Sequence, residues 1–489
     1  MSALSTLHQR AFVVSTLIGY YMVSSISFAS GIGPLPTSLT DMKAPEVPGL
    51  LDGKSPIIIN KEKAILLGKA LFWDTNVGSD GMACGSCHFH AGADSRTKNQ
   101  LSPGGKTTDI AKQIFDNSIS GQYMGANHNL SSSDFPFHQR QLPLDHTSEV
   151  IHNSDDVSSS AGTFSGNYIN SERTAIGNDN CNRSADPIFH VGAKGTRRVE
   201  PRNTPTVINA IFNHRNFWDG RANNIFNGSS PWGERDPDAG VWVKVNSRKV
   251  KKERLHLINS SLASLALAPP LSTTEMGCSG RSFPAIGRKL LYRKPLEQQK
   301  VHYQDSVLGS LSFSSENNLL PGLNTSYSTL IKQAFNKKYW SYRRRGPFGG
   351  VTGELPYTQL EANFGMFFAL AIQSYESTLV SDQSAFDLSA RDSNGLPIDL
   401  TPSELNGLDQ LRDNECLRCH IGPNFTSASV SANAEFVKIH PEAFGDEFLV
   451  ISTTKNAISR TLASGGVGLF DVGYASTGVT DEKSDIGIG

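Results

Sequence analysis

The sequence lacks a net charge, because its 45 lysines and arginines almost cancel its 46 aspartates and glutamates over 489 residues. A chain without a basic excess gives no reason to expect nucleic acid as a partner. Beyond residue 29 it also lacks an apolar run long enough to span a bilayer, so we expect no membrane span in the mature chain. The length leaves room for several domains.

The N-terminal residues have the pattern of an export signal. Arg10 precedes an apolar stretch, and Ser27-Phe28-Ala29 fits a cleavage site of the small-x-small type. We therefore predict a signal peptide over residues 1–29 and a mature protein outside the cytoplasm. An uncleaved membrane anchor is the alternative.

Cysteine is scarce, with six residues, and four of these fall into two CxxCH units. The units are Cys84, Cys87 and His88, then Cys416, Cys419 and His420. Two thiols at this spacing can each add to one vinyl group of a porphyrin, and the histidine that follows can bind its iron. We therefore predict two covalently bound c-type haems.

Two other uses of paired cysteines are disfavoured. A zinc site would need two further ligands near each pair, and the sequence has no second CxxC or HxxxH partner. A thioredoxin-like redox pair would need a βαβ context, which the surrounding residues do not provide.

The remaining cysteines, Cys181 and Cys278, stand alone. In an oxidising compartment they can form a disulfide, which would stabilise the fold by closing a long loop. Two unrelated buried thiols are the alternative, and the sequence does not decide between them.

Apolar residues at helical spacing mark three segments. They are residues 61–72, residues 358–379, and a helix that begins after Thr401, where Pro402 and Glu404 complete a capping box. The first and third segments each lead into a CxxCH unit. We predict a mainly α fold of two c-type cytochrome-like haem domains, at 45–350 and 355–489. Long irregular insertions are expected near 94–186 and 229–271, where the first is rich in Ser, Asn, Asp and Gly.

Several segments resemble the bacterial diheme cytochrome c peroxidase family, to which the diheme enzyme that matures methylamine dehydrogenase is related. They are LGKALFWD at 67–74 with ACGSCH at 83–88, RNTPTV at 202–207, FWDGRA at 217–222, EMG at 275–277, YESTL at 375–379, and CLRCH with GPNF at 416–425. In that family the N-terminal haem reacts with hydrogen peroxide. The C-terminal haem takes electrons from a small c-type cytochrome or copper protein. The resemblance thus implies a periplasmic peroxidase, and a homodimer by analogy.

The resemblance also implies roles for single residues. Trp218 would lie between the haems and assist electron transfer, although a core tryptophan is the plain alternative. Glu275 would be the acid–base group of the peroxide pocket, since breaking the O–O bond requires proton movement; an isolated loop glutamate is more often a surface residue. Asn203 would contribute an oxygen ligand to an interdomain calcium ion.

Three departures from the family pattern stand out. The segment between His88 and Asn203 is far longer than the family's usual linker, and His190 in its last part is our candidate for the loop histidine that caps the peroxidatic iron. The family's pocket glutamine has no clear match, although Asn227 stands close to its place. No methionine follows His420.

The missing methionine leaves two candidates for the distal ligand of the second haem, His440 and Tyr474. We expect a truncated chain whose ligand lies beyond Gly489. A tyrosine ligand would favour likeness to the enzyme that matures methylamine dehydrogenase. Two alternatives to a peroxidase therefore stay open: a diheme oxidase of a protein side chain, and a diheme electron-transfer or sensor protein.

Overall fold

The computed structural model describes residues 35–431, apart from 91–93, 105–112, 117–123, 146, 172–176, 218–219, 221, 234–235, 415, 419 and 427. Within these residues helices account for 26% and strands for 14%. The prediction of a mainly α fold is therefore wrong. The reason lies in the two insertions, which were expected to be irregular but form β-hairpins.

The helices of the described region are α1 (Lys61–Trp73), α2 (Ser261–Ala266), α3 (Phe283–Leu290), α4 (Tyr327–Ala334), α5 (Gln359–Ala362), α6 (Phe364–Glu376), α7 (Ala385–Leu388) and α8 (Pro402–Asp413). α8 begins where the sequence indicated: the Thr401 hydroxyl accepts from the Glu404 amide, and the Glu404 carboxylate accepts from the Thr401 amide.

The strands are β1 (Leu101–Ser102), β2 (His138–Arg140), β3 (Val150–Asn153), β4 (Val157–Ser158), β5 (Asn167–Asn170), β6 (Asn180–Asn182), β7 (His190–Val191), β8 (Lys194–Gly195), β9 (Val241–Lys244) and β10 (Val250–Glu253). They pair as antiparallel two-stranded sheets: β1 with β4, β2 with β3, β5 with β6, β7 with β8, and β9 with β10. β1–β6 lie in the first insertion, and β9 and β10 lie in the second. Each sheet is too small to form a layer of its own.

The main core is built where α1 crosses α6. A side-chain carbon on Gly68 would lie 1.9 Å from the carbonyl oxygen of Ala371, so only glycine allows the two backbones to approach this closely. Every residue of α6 is buried. α3 and α4 complete the same apolar cluster. The crossing brings the C-terminal ends of α1 and α6 together beside the first CxxCH unit.

The first insertion has a small core of its own. Six buried residues form it: Leu101, Phe115, Met124, Leu130, Phe189 and Val199. Phe189 and Val199 follow the insertion, so its described residues pack against the segment that comes after it.

The division into haem domains at 45–350 and 355–489 stays a prediction. α6, which that division assigns to the C-terminal domain, packs in one core with α1 from the N-terminal domain. In the described part of the chain no helix could cross a membrane, since the longest, α1 and α6, have 13 residues each. The signal peptide expected at 1–29 lies outside the described residues.

Candidate haem sites

The first CxxCH unit follows α1 closely. Cys84–Ser86 form a short 3₁₀ turn, and the amide of His88 donates to the carbonyl of Cys84 at 3.0 Å. The Trp73 ring covers this turn, since a side-chain carbon on Gly85 would lie 2.4 Å from it. Neither Cys84 nor Cys87 forms a disulfide. Both thiols are therefore available for thioether bonds.

His88 is oriented as a metal ligand. Its Nδ1–H donates to the carbonyl oxygen of Pro205 at 2.9 Å, which leaves Nε2 as the free ring nitrogen. Histidines that bind a metal usually donate their other ring N–H in this way. Burial lowers the pKa of His88, which favours the neutral imidazole that binds iron.

The second unit repeats this geometry. Cys416 begins a 3₁₀ turn after α8, and the His420 amide donates to the Cys416 carbonyl at 3.0 Å. The Nδ1–H of His420 donates to the carbonyl oxygen of Phe425 at 3.0 Å. Cys419 lies outside the described residues. The residues described at both sites thus fit a c-type haem whose iron would be bound by the histidine Nε2.

The structure brings Glu275 to the first of these sites. Its side chain is half-buried, and burial together with the negative charge of Glu275 raises the pKa of Cys87 to about 11. The same charge acts more weakly on Cys84. A carboxylate therefore lies within electrostatic range of both cysteines of the first unit.

The loop that carries Glu275, residues 273–279, rests on the first insertion and the residues just after it. The amide of Thr163 donates to the Thr274 carbonyl at 3.0 Å, and Arg198 Nη1 donates to the Thr273 carbonyl at 3.0 Å. A side-chain carbon on Gly162 would lie 2.1 Å from the Thr274 carbonyl oxygen. We call this segment the Glu275 loop. Its backbone position is set by the insertion.

A buried ionic cluster lies behind the Glu275 loop. Asp179 forms ion pairs with Arg281 at 2.7 Å and Lys289 at 3.2 Å, and the exposed fraction of each of the three side chains is at most 1%. Ser79 donates its hydroxyl to Asp179 at 2.8 Å and its amide to the Met276 carbonyl at 2.7 Å. Asp179 from the insertion is thereby linked to the Glu275 loop through Ser79.

The charged side chains of this cluster shift one another's pKa values. Burial acts to raise the pKa of Asp179, but Arg281 and Lys289 outweigh it and hold that pKa below its usual value. Burial lowers the pKa of Lys289 to about 8. Asp179 therefore stays ionised at neutral pH as the anion between two buried cations.

Cys181 and Cys278 form a disulfide, so the first of the two alternatives left open by the sequence is realised. The bond joins β6 of the insertion to the Glu275 loop. Nothing in the sequence indicated that this disulfide would anchor the loop that carries Glu275, because β6 was not predicted.

Other expected site residues lie elsewhere. His190 is exposed on β7, where its Nδ1–H donates to the Gly192 carbonyl at 2.9 Å. Asn203 is exposed. Asn227 is buried and uses its amide oxygen to accept from the amides of Ser229 and Ser230 at 2.9 Å each. The roles expected of His190, Asn203 and Asn227 stay predictions.

Three predicted positions lie outside the described residues: Trp218, His440 and Tyr474.

The structure adds two residues at the first site, Tyr375 and Glu376, that had no role in the sequence-based hypothesis. The Tyr375 hydroxyl accepts a hydrogen bond from Trp73 Nε1–H at 3.3 Å, and Glu376 is buried. Tyr375 and Glu376 both lie on α6, and the crossing of α6 with α1 brings them to the haem motif.

Comparison with known proteins agrees with this arrangement. The family model described as di-haem cytochrome c peroxidase matches residues 174–394. The matched region contains Asn203, Glu275 and α6, and it lies between the two CxxCH units. No curated protein matches the chain. The family resemblance predicted from the sequence is thereby confirmed over residues 174–394, which are similar to the di-haem cytochrome c peroxidase family.

Proposed function

We propose that this protein reduces hydrogen peroxide to water, with electrons from a small periplasmic redox protein. The observation that carries the proposal is the half-buried Glu275 carboxylate beside the first CxxCH unit. Reduction of one peroxide consumes two electrons and two protons and forms two waters. Such a reaction needs a proton-transferring group at one haem only.

When bound, the first haem would supply an iron atom that binds peroxide and passes to it the electrons that come from the donor. His88 would bind that iron through Nε2, with its ring fixed by the Pro205 carbonyl. Glu275 takes the proton from the peroxide oxygen that binds iron and gives it to the other oxygen. The protonated oxygen can then leave as water. The Glu275 loop keeps the carboxylate at this place.

The same proposal includes the finer points implied by the resemblance. Thioether bonds join the haems to Cys84 and Cys87, and to Cys416 and Cys419. The second haem receives electrons from a c-type cytochrome or copper protein. A periplasmic location and a homodimer belong to the same hypothesis.

The calcium ion implied by the resemblance has weaker support. Asn203 is exposed, and a single exposed amide does not form the cage of six to eight oxygen atoms that calcium requires. We therefore derive no step from calcium.

Steady-state and stopped-flow kinetics with peroxide test the proposal. Glu275→Gln should lower the rate of peroxide reduction by about 10²- to 10⁴-fold, the usual contribution of a general acid–base group. Glu253→Gln is the matched control, since Glu253 on β10 is a half-buried carboxylate that pairs with Lys251. The control should keep the wild-type rate.

Visible spectra of both variants should show the wild-type haem content. Wild-type rates in Glu275→Gln would remove Glu275 from the mechanism. A diheme protein without peroxide turnover would contradict the peroxidase assignment and favour an electron-transfer role.

A further inference from the structure

Glu376 is a buried carboxyl group for which the peroxidase mechanism has no use. It is the last residue of α6, and 4% of its surface is exposed. Among the described residues none donates a hydrogen bond to its side chain or forms an ion pair with it. The negative end of the α6 dipole lies at the same place and also disfavours a carboxylate. Such an isolated acid is costly to bury in its charged form.

Glu376 lies near the first haem motif. After burial, Glu376 is the next cause that raises the pKa of Cys84, so its carboxyl lies close enough to that thiol to act on it. Its neighbour Tyr375 accepts from Trp73, and the Trp73 ring lies against Gly85. Two separate contacts thus bring the end of α6 to the CxxC turn.

Glu376 and Glu275 differ in their surroundings. Glu275 is half-buried and acts mainly on Cys87, whereas Glu376 is buried and acts mainly on Cys84. Burial raises the pKa of Glu376 to about 8. A group in this range changes its protonation when a nearby charge changes by one unit, as the charge of a haem iron does on reduction.

The other titratable groups near Glu376 are less suited to take up a proton when the haem is reduced. Cys84 loses its proton-binding capacity when it becomes a thioether. Burial raises the pKa of Tyr375, which therefore stays neutral. Asp305, which acts on Tyr375, forms an ion pair with Lys69 at 2.8 Å. The remaining described carboxyls that act on this cysteine pair are Glu275 and, on Cys87, Glu200; the experiment below separates Glu275 from Glu376.

We propose that Glu376 is the proton-binding site of the first haem: when the iron gains an electron, the Glu376 carboxylate takes up a proton from solvent, and it releases this proton when the iron is oxidised. One electron enters from the donor and one proton enters from water, so the net charge of the buried site stays constant. The inference rests on haem attachment at Cys84 and Cys87, as proposed above, but not on peroxide turnover. Its consequence is a haem whose potential is coupled to pH.

The test is a spectroelectrochemical titration of the full-length diheme protein between about pH 6 and pH 10. Proton uptake with one electron shifts the midpoint potential by up to about 59 mV for each tenfold change in proton activity. We expect this slope for the haem at His88. In Glu376→Gln the slope should vanish, while the haem at His420 serves as an internal control and keeps its wild-type behaviour.

Two results would overturn the proposal. One is a potential at His88 that does not change with pH in the wild type. The other is a slope that survives in Glu376→Gln and disappears in Glu275→Gln, since that would make Glu275 the proton-binding site. The pH dependence of the midpoint potential does not require peroxide turnover. A protein that shows this dependence but does not reduce peroxide would therefore contradict the peroxidase assignment alone.

A second measurement needs no variant. The reduced-minus-oxidised infrared spectrum of the wild type should show a protonated-carboxyl C=O band that grows on reduction. A spectrum without such a band would contradict the proposal even if Glu376→Gln failed to fold.

Discussion

Cys278 in the Glu275 loop is joined by a disulfide to Cys181 on β6 of the first insertion. The bond reinforces the hydrogen bonds by which the insertion already holds this loop, among them the one from Thr163 to the Thr274 carbonyl. The insertion, which the sequence predicted to be irregular, thus holds the loop that carries Glu275, the proposed acid–base group. We therefore expect substitutions in the insertion to alter the position of the Glu275 loop at the first haem site.

Removal of the disulfide should lower stability. We expect the Cys181→Ser/Cys278→Ser variant to lose about 2–5 kcal/mol in the free energy of unfolding, because the bond constrains the unfolded chain over a sequence separation of 97 residues. Denaturant titration measures the loss. A thiol reductant should destabilise the wild type and leave the variant unchanged. Equal unfolding midpoints for the two proteins would contradict this account of the insertion.

Asp179→Asn should be more damaging than most single substitutions. It leaves Arg281 and Lys289 buried without their anion, and breaking a buried ion pair by removing one partner costs about 3–5 kcal/mol. Asp409→Asn is the control, since Asp409 pairs with Arg412 on the surface of α8, where an ion pair contributes about 0–1 kcal/mol. An equal loss of unfolding free energy in the two variants would show that the buried ion pairs contribute no more to stability than the surface pair.

The loss caused by Asp179→Asn should depend on pH. The pKa of Asp179 is lower in the folded protein than in the unfolded chain, so its contribution to stability is complete above the unfolded value. The contribution disappears as the pH falls through the folded value. The stability difference between the wild type and the variant should therefore shrink in acid. A difference that grew in acid would reverse the sign of the interaction.

Local sequence patterns predicted the parts of the structure that depend on neighbouring residues. The capping box at Thr401 indicated the start of α8, and the CxxCH spacing predicted two haem sites, a prediction that binding of haem has still to test. The mainly α fold was wrong because the strands of the insertions are only two to four residues long and largely polar. Strands of this length show no alternation that could be read from the sequence.

Features that depend on distant residues could not be predicted. The carbonyl that orients His88 belongs to Pro205, which lies 117 positions away in the chain. The burial of Glu376 depends on how α6 crosses α1, which helical periodicity alone does not specify. The ion pairs of Asp179 with Arg281 and Lys289 depend on the folded path of the first insertion. Site chemistry at these positions becomes visible only in the folded chain.

The crossing of α1 and α6 should tolerate no side chain at Gly68. We expect Gly68→Ala to cost about 1–3 kcal/mol, as overpacking of a core usually does, because the new carbon would meet the Ala371 carbonyl. Gly407→Ala on the exposed face of α8 is the matched control: nothing lies within 4 Å of its new carbon. The control should be stabilised by up to about 1 kcal/mol, since alanine favours helix over glycine. If Gly68→Ala were equally stabilising, the close helix contact would be wrong.

The central claim is that each CxxCH unit carries one covalently bound haem, and the intact mass of protein made in cells with working cytochrome c maturation tests it most directly. We predict the mass of the polypeptide plus two haems, a mass lower by one haem in Cys84→Ser/Cys87→Ser, and the same loss in Cys416→Ser/Cys419→Ser. A colourless wild-type protein with the mass of the polypeptide alone would contradict the claim.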